Sequence, residues 1–513
     1  MSQVSVTGKT DAVFDPWLTT WHWNLDTLTY SFPRNGATYR YQDRDDVSGL
    51  DAQQRDAVRA VLDEVSSLTD LSFAEVPVSS GDPAVMRFAK EKNLGGAFAF
   101  RPALTEEAGD AFFGYTAANP VPGNEAYLFF IHELGHTLGL NHGHDFGVFR
   151  GSEWDSQEFT IMTYTDHVGD DDLDSYDSGP IDWAQSYMQL DIAALQFLYG
   201  ANYDAADALW SGQTRYGFSQ TTGEMFVNGV GQGAPAGNRI FRTIWDGDGY
   251  DIYDFSNYAA DLLVDLSPGG WSVLDGAQLA NLNRNADSPV LARGNIANAL
   301  LVDGDTRGLI EVAIAGSGDD GLVGNLVANR LAGRAGADTI SGKGGDDMIR
   351  GQAGNDVLYG NAGNDRLIGG SQHDHLRGGN GNDRLDGRNG ADVLLGGNGD
   401  DMLIGGRGFD RLTGGEGADV FIFRGIGDAP LGRRIDTIMD FETGVDRIDL
   451  SALGAEGAEV RLLGAHSAGH ASLATTVVAE GTRLTLDRDG DGQADMWLLL
   501  AGIQDAAADD FLL

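Results

Sequence analysis

The sequence predicts two unlike halves, an α+β N-terminal part and an all-β C-terminal part wound as a parallel coil of nine-residue repeats and closed by a β-sandwich-like cap. Three observations lead there. The chain of 513 residues exceeds one ordinary domain and, at 42% hydrophobic residues, carries enough apolar material for real cores. Its 73 glycines are about twice the usual share of roughly 7%, and they gather between residues 316 and 417. Outside that stretch, segments of helical period and of strand-like alternation follow one another.

Composition removes several classes of function. Lys and Arg number 34 against 77 Asp and Glu, a net charge of −43 that repels phosphate backbones and anionic lipid, so no nucleic-acid partner is expected. No run of about 18 apolar residues occurs, so no membrane span is expected. With no cysteine, disulfides and thiolate chemistry are excluded, and any metal must sit on His or oxygen ligands. The opening MSQVSVTGKT lacks the apolar core of a cleaved export signal.

The repeat carries the C-terminal half. Asp338, Asp347, Asp356, Asp365, Asp374, Asp383, Asp392, Asp401, Asp410 and Asp419 stand nine residues apart. Five residues before each lies a glycine, from Gly333 to Gly414, and two residues after each an apolar side chain, from Ile340 to Phe421. Two residues before each lies another glycine, except at Gln372. A disordered Gly/Asp tract has no reason to hold three positions in register for ten cycles. Glycine permits the positive φ of a tight loop, aspartate offers calcium a hard oxygen, and the apolar residue falls on the inner face of a short strand. Two nine-residue units then make one full coil. Asp338, Asp356, Asp374, Asp392 and Asp410 line one edge, and the intervening five line the other. Several calcium ions between stacked loops would neutralise repelling carboxylates, so folding is expected to require the ion.

The N-terminal half carries a different pattern. In YLFFIHELGHTLGLNHGHDF (127–146), His132 and His136 are four apart and share one helix face. Gly139 can end the helix and return His142 as a third nitrogen ligand. Three imidazoles with an open fourth position describe a catalytic zinc site rather than a closed structural one. Glu133 is placed to act on a water rather than to bind the ion. His144 and Asp145 read as solvated loop residues. FTIMTYTD (159–166) places Met162 and Tyr164 about 20 residues beyond His142, and Met162 reads as a structural floor under the histidines.

Together the extended HExxHxxGxxH pattern, the methionine segment and repeats such as GGNGNDRLD resemble the serralysin family of metzincin zinc proteases with RTX calcium-binding repeats. Further segments agree in order: a helical period over 51–68, strands over 71–76 and 85–90, a closing helix over 187–202 stopped by Gly200, and TIWDGDGYDIYDFS (243–256) and GADVFIFR (417–424) flanking a β-roll. GSGDDGLVG near Asp320 resembles a degenerate earlier turn. The resemblance implies that His132, His136 and His142 hold one zinc ion. It makes Glu133 the general base, and Tyr164 a residue that ligates zinc at rest and hydrogen-bonds the oxyanion when it swings out. Gly143 stands where the family usually has proline, and Gln372 weakens the calcium loop beside Asp374. The acidic loop 166–177 reads as a solvated face. GGAFAFRP (95–102) reads either as a substrate-pairing edge strand or as a structural strand.

The domains expected are a short propeptide (1–16), a zinc protease domain (17–202), a linker with the first strands of the β domain (203–315), the RTX β-roll (316–424) and a β cap (425–513). In the cap, Asp487, Asp489 and Asp491 of LDRDGDGQADMW form either a further calcium loop or a glycine hairpin turn. The closing DDFLL resembles the uncleaved signal of proteins exported by a type I ABC transporter. The resulting expectation is a secreted, monomeric, calcium-stabilised zinc endopeptidase acting on protein substrates. The rival is a non-catalytic RTX surface or matrix protein with a retired protease domain. No GxSxG nucleophile elbow occurs in the N-terminal half, which speaks against a lipase.

Overall fold

The computed structural model describes the chain except residues 1–3, 7–17, 19–20, 36–45, 79–83, 144–149, 171–176, 204–211, 285–286, 426, 429–434, 454–458, 462–465, 467–468 and 504–505. The expectations for His144 and Asp145, and most of the expected propeptide, lie outside the described residues. Two compact units emerge, one of residues 1–252 with 268–310 and one of residues 253–267 with 311–513. The segment 203–315 is thus shared between them. Among the described residues, no helix is long and apolar enough to cross a membrane.

Among the described residues, the first unit packs three α-helices against a sheet. Helix α1 (Ala52–Leu68) starts at Asp51, whose side chain accepts the Gln54 N–H while Gln54 answers to the Asp51 N–H, a reciprocal cap. Its apolar stripe Val58, Val61, Leu62, Val65 and Leu68 is buried, as the helical period requires. The sheet runs Ser72–Glu75, Thr27–Ser31, Met86–Glu91, Asp110–Phe113 and Ala97–Ala99, with Val47–Ser48 pairing beside Met86–Glu91. All these pairings are parallel except those of Val47–Ser48 and Ala97–Ala99, and Ala97–Ala99 is the antiparallel edge strand. Helices α2 (Glu125–Thr137) and α3 (Gln189–Tyr199) bury most of their residues in the same core. Gly200 ends α3 with φ +84, a conformation glycine adopts without strain.

The second unit is a coil of parallel strands. Successive repeats alternate between two sheets, and each strand pairs in parallel with the strand 18 residues on, as Leu358↔Leu376 and Leu367↔Leu385 show. The inward residues Ile340, Ile349, Leu358, Leu367, Leu376, Leu385, Leu394, Leu403, Leu412 and Phe421 are fully buried, each stabilising the coil by about 2 kcal/mol. The glycine five residues before each aspartate has a steric cause: a Cβ there would overlap the aspartate's Oδ2. The glycine two residues before every repeat aspartate except Asp374 takes φ between +91° and +158°, and a Cβ there would collide with backbone one coil earlier. Asp320 joins the same ladder, its N–H donating to Asp338 Oδ1 at 2.8 Å, so the degenerate turn is a working first coil.

The C-terminal segment departs from a separate sandwich. Asp436–Ile438 and Arg447–Asp449 pair in parallel with the last repeat strands and carry the two sheets onward. Met496–Ala501 then pairs in parallel with Asp436–Ile438, and Gly481–Asp487 and Ser472–Val478 extend that sheet by antiparallel pairing. The apolar register outlasts the glycines: Ile438 stands beside Leu412 and Ile448 beside Phe421, so the coil's core continues after the repeat ends. The terminal Phe511–Leu512 pairs with Arg447–Asp449.

Gln372 is the one non-glycine in its column and is held at φ +81. A left-handed L-residue costs about 1–2 kcal/mol, partly offset by glycine's greater freedom when unfolded. Gln372→Gly is therefore expected to stabilise the second unit by about 1 kcal/mol, read as a thermal midpoint raised by a few degrees; a lowered midpoint would show that the side chain makes a contact worth more than the strain.

Candidate active site

Helix α2 brings the three histidines together. Its start is capped by Asn124, whose side chain accepts the Tyr127 N–H at 2.8 Å. At its end Gly139 adopts φ +103, and the chain turns so that His142 faces His132 and His136. The Nε2 atoms of His132 and His136 lie 2.9 and 3.0 Å from Nε2 of His142. Each helical imidazole is oriented by its other nitrogen. His132 Nδ1 donates to Ile161 O and His136 Nδ1 to Leu140 O, both at 2.8 Å. Nδ1 therefore carries the proton in each neutral ring, and the two Nε2 lone pairs point at the His142 nitrogen. Lone pairs so arranged repel one another unless a cation lies among them, so this donor set fits a divalent metal. Burial together with the neighbouring His132 and His142 holds His136 well below the usual imidazole range.

Around this cluster the structure supplies parts the sequence did not reveal. Met162 is fully buried, and its sulfur lies where a Cβ on Gly135 would come within 2.8 Å, so Gly135 is the residue that lets the methionine floor approach the helix. Asp191 of α3 accepts from Thr160 Oγ1 at 2.6 Å, Ile161 N at 2.8 Å and Met188 N at 3.0 Å. It thereby holds the loop whose Ile161 carbonyl orients His132. Burial, against those three donors, raises the Asp191 carboxyl to about 7. Asp166 does not belong to a solvated face: it is buried and accepts from Gln157, the Asp177 N–H and Ser178. Residues 171–176 of that loop are not described.

Glu133 is 6% exposed, and its Oε2 is buried without a hydrogen-bond partner among the described residues. Burial pushes its carboxyl up to about 8, with the positive charge of Arg101 opposing; a cation among the imidazoles would pull it down further. Tyr164 stacks near His132 with centroids 6.0 Å apart and tilts over His142 at 4.8 Å. These groups line an open cleft of about 490 Å³ whose other wall is Ala97–Arg101 with Ala103 and Thr105.

The coil carries a second kind of donor set. Along each edge the Oδ1 of one repeat aspartate accepts the N–H of the aspartate one coil before, for example Asp338 N to Asp356 Oδ1 and Asp347 N to Asp365 Oδ1. The Oδ2 of all ten, from Asp338 to Asp419, is buried and unpartnered among the described residues. A native fold leaves few such atoms, and an all-oxygen set fits a hard cation such as calcium. Asp374 keeps the same bonds as its neighbours despite Gln372, donating to Asp392 Oδ1 and accepting from Asp356 N, each at 2.9 Å. Burial pushes most of these carboxyls up, Asp338, Asp347, Asp374, Asp383, Asp401 and Asp410 to about 7. In the cap, the buried Asp487 accepts from Gly490 N and Gly492 N at 2.8 Å, closing a hairpin turn, and its carboxylate also gathers with those of Asp489 and Asp491. Of the two readings the sequence left open, the glycine hairpin turn is present there.

The chain is 29% identical to serralysin G of Dickeya chrysanthemi over 59% of its own length and 60% of that protein. It is 28% identical to a serralysin of Proteus mirabilis over the same shares, and 27% identical to the metallopeptidase AprA of Pseudomonas marginalis over 59% of its length and 61% of that protein. It thus aligns with about 60% of the length of these curated relatives. The family model described as Peptidase M10 serralysin C terminal matches residues 205–513, more than half of the chain and the whole of the repeat coil. The nine-residue register and the family match coincide, and the protein belongs to the serralysin family.

Proposed function

We propose that the protein is a secreted zinc endopeptidase of metzincin type whose C-terminal β-roll is stabilised by calcium. The observation that carries this reading is the convergence of three imidazole nitrogens beside the buried Glu133 carboxylate, at the floor of a cleft bounded by an edge strand. His132, His136 and His142 would hold the zinc ion, which when bound supplies Lewis acidity toward a carbonyl and acidifies water. A peptide laid along the open edge of Ala97–Ala99 pairs with it as an added strand, bringing one amide over the histidines. Glu133 accepts the proton of the attacking water and hands it to the leaving amine nitrogen. The Tyr164 hydroxyl, which lines the cleft, donates to the carbonyl oxygen as it gains charge, and would be available to the ion as a further ligand in the resting site. Met162, fixed under Gly135, keeps the imidazoles at one height.

On this reading residues 17–202 form the protease domain, after a propeptide of residues 1–16, and 316–424 the calcium-binding roll, with Asp338 to Asp419 as its carboxylate ligands. The closing DDFLL acts as the export signal for a type I transporter. Docked strand Phe511–Leu512 leaves that signal legible only before the second unit folds, which suits folding outside the cell where calcium is plentiful.

Two outcomes test the reading. The 513-residue protein hydrolyses casein, and Glu133→Ala lowers kcat/KM by about 10²–10⁴-fold; a wild type without activity would favour the retired, non-catalytic alternative. For the roll, the folded aspartates titrate above their ordinary value of about 4, so the fold favours their neutral form. That contribution is complete below about pH 4 and is lost as pH climbs through about 7. With chelator present, the thermal midpoint of the roll is expected to be higher at pH 6 than at pH 8. Calcium is expected to raise the pH 8 midpoint above both, and equal midpoints with and without calcium would refute the calcium role.

A further inference from the structure

One side chain of the cleft has no part in the chemistry above. The strand Ala97–Ala99 continues its ladder through Phe100, whose N–H donates to Asp110 O at 2.8 Å. Side chains therefore alternate along 97–101. Phe98 and Phe100 turn to one side, T-shaped to each other at 5.6 Å, with Phe98 stacked on Phe112 at 5.2 Å. Ala97 and Ala99 turn to the other side, packing on the core that contains α2. Arg101 follows in the alanine row and lines the cleft with His132, Glu133, His136, His142 and Tyr164. Phe98 and Phe100 also border the cleft, so its wall is apolar apart from Thr105 and the single charge of Arg101.

That charge is set apart. Arg101 is exposed and makes no ion pair among the described residues, in a chain whose net charge is −43. It is the one permanent cation among the described residues lining the cleft. Its field reaches both Glu133 and His136. A guanidinium pairs with a carboxylate through two parallel hydrogen bonds, and among the described residues Arg101 has no carboxylate within ion-pair distance.

We propose that Arg101 is a specificity residue that selects peptide substrates bearing an aspartate or glutamate side chain next to the scissile bond. The proposal rests on the endopeptidase reading. It differs from a role for Arg101 in tuning Glu133, which would alter the cleavage of every peptide alike.

The test uses the calcium- and zinc-loaded protein and fluorogenic peptides that differ only by Glu or Gln at each position flanking the cleaved bond. At one position the wild type is expected to prefer Glu by about five- to tenfold in kcat/KM, a preference that shrinks in high salt. Arg101→Lys keeps part of that ratio, Arg101→Gln brings it to about one, and Arg101→Glu reverses it in favour of the Gln peptide. The readout is a ratio within each variant, so a general loss of activity does not enter it, and circular dichroism checks that each variant is folded. A wild type that cuts without discriminating Glu from Gln overturns the proposal while leaving the endopeptidase reading intact, as does a ratio that survives Arg101→Gln. A wild type that cuts no peptide overturns both.

Discussion

Two hydrogen bonds from imidazole Nδ1 to backbone carbonyls govern the chemistry of the first unit. They fix the tautomer of His132 and His136, and so decide that the nitrogens facing His142 carry lone pairs rather than protons. The carbonyl that holds His132 belongs to Ile161, and its position depends on Asp191 in a different helix. The convergence of the imidazoles is therefore not a property of the HExxH helix alone. It is set by a loop beneath that helix, which a buried carboxylate ties to α3.

The second unit applies the same physical logic with oxygen in place of nitrogen. Each aspartate uses one carboxylate oxygen to stitch neighbouring coils, and leaves the other buried and unanswered. A chain of such atoms is costly as bare charge, which is why burial drives their protonation upward. A hydrophobic ladder of one residue per repeat offsets part of that cost, and a hard cation would remove the rest. On the proposed calcium reading, stability and metal content would be coupled in a way an apolar coil would not show.

Much of this was legible in the sequence, for reasons of spacing. A helix places residues four apart on one face, so His132 and His136 announce themselves, and a coil of 18 residues per turn imprints its period on Asp, Gly and Leu alike. The helix over 51–68 and the stop at Gly200 followed from apolar period and glycine in the same manner. What stayed hidden depends on contacts between residues far apart in the chain. Asp191 looked like an ordinary helix residue until its three donors came from 160, 161 and 188. Gly135 looked like spacing within a motif until Met162 was found against it. Asp166 sat in an acidic run that read as solvated, yet it is buried and held by Gln157, Asp177 and Ser178. The cap read as sandwich-like from local strand alternation, which does not show that the coil's apolar register continues into Ile438 and Ile448.

The zinc content of the 513-residue protein and its variants tests the central claim most directly. After dialysis against zinc-free buffer with calcium retained, the account predicts one zinc per chain in the wild type and in Glu133→Ala, and close to none in His136→Ala. A wild type that retains no zinc, or a His136→Ala variant that retains it in full, would contradict the convergence of the three imidazoles on a single ion.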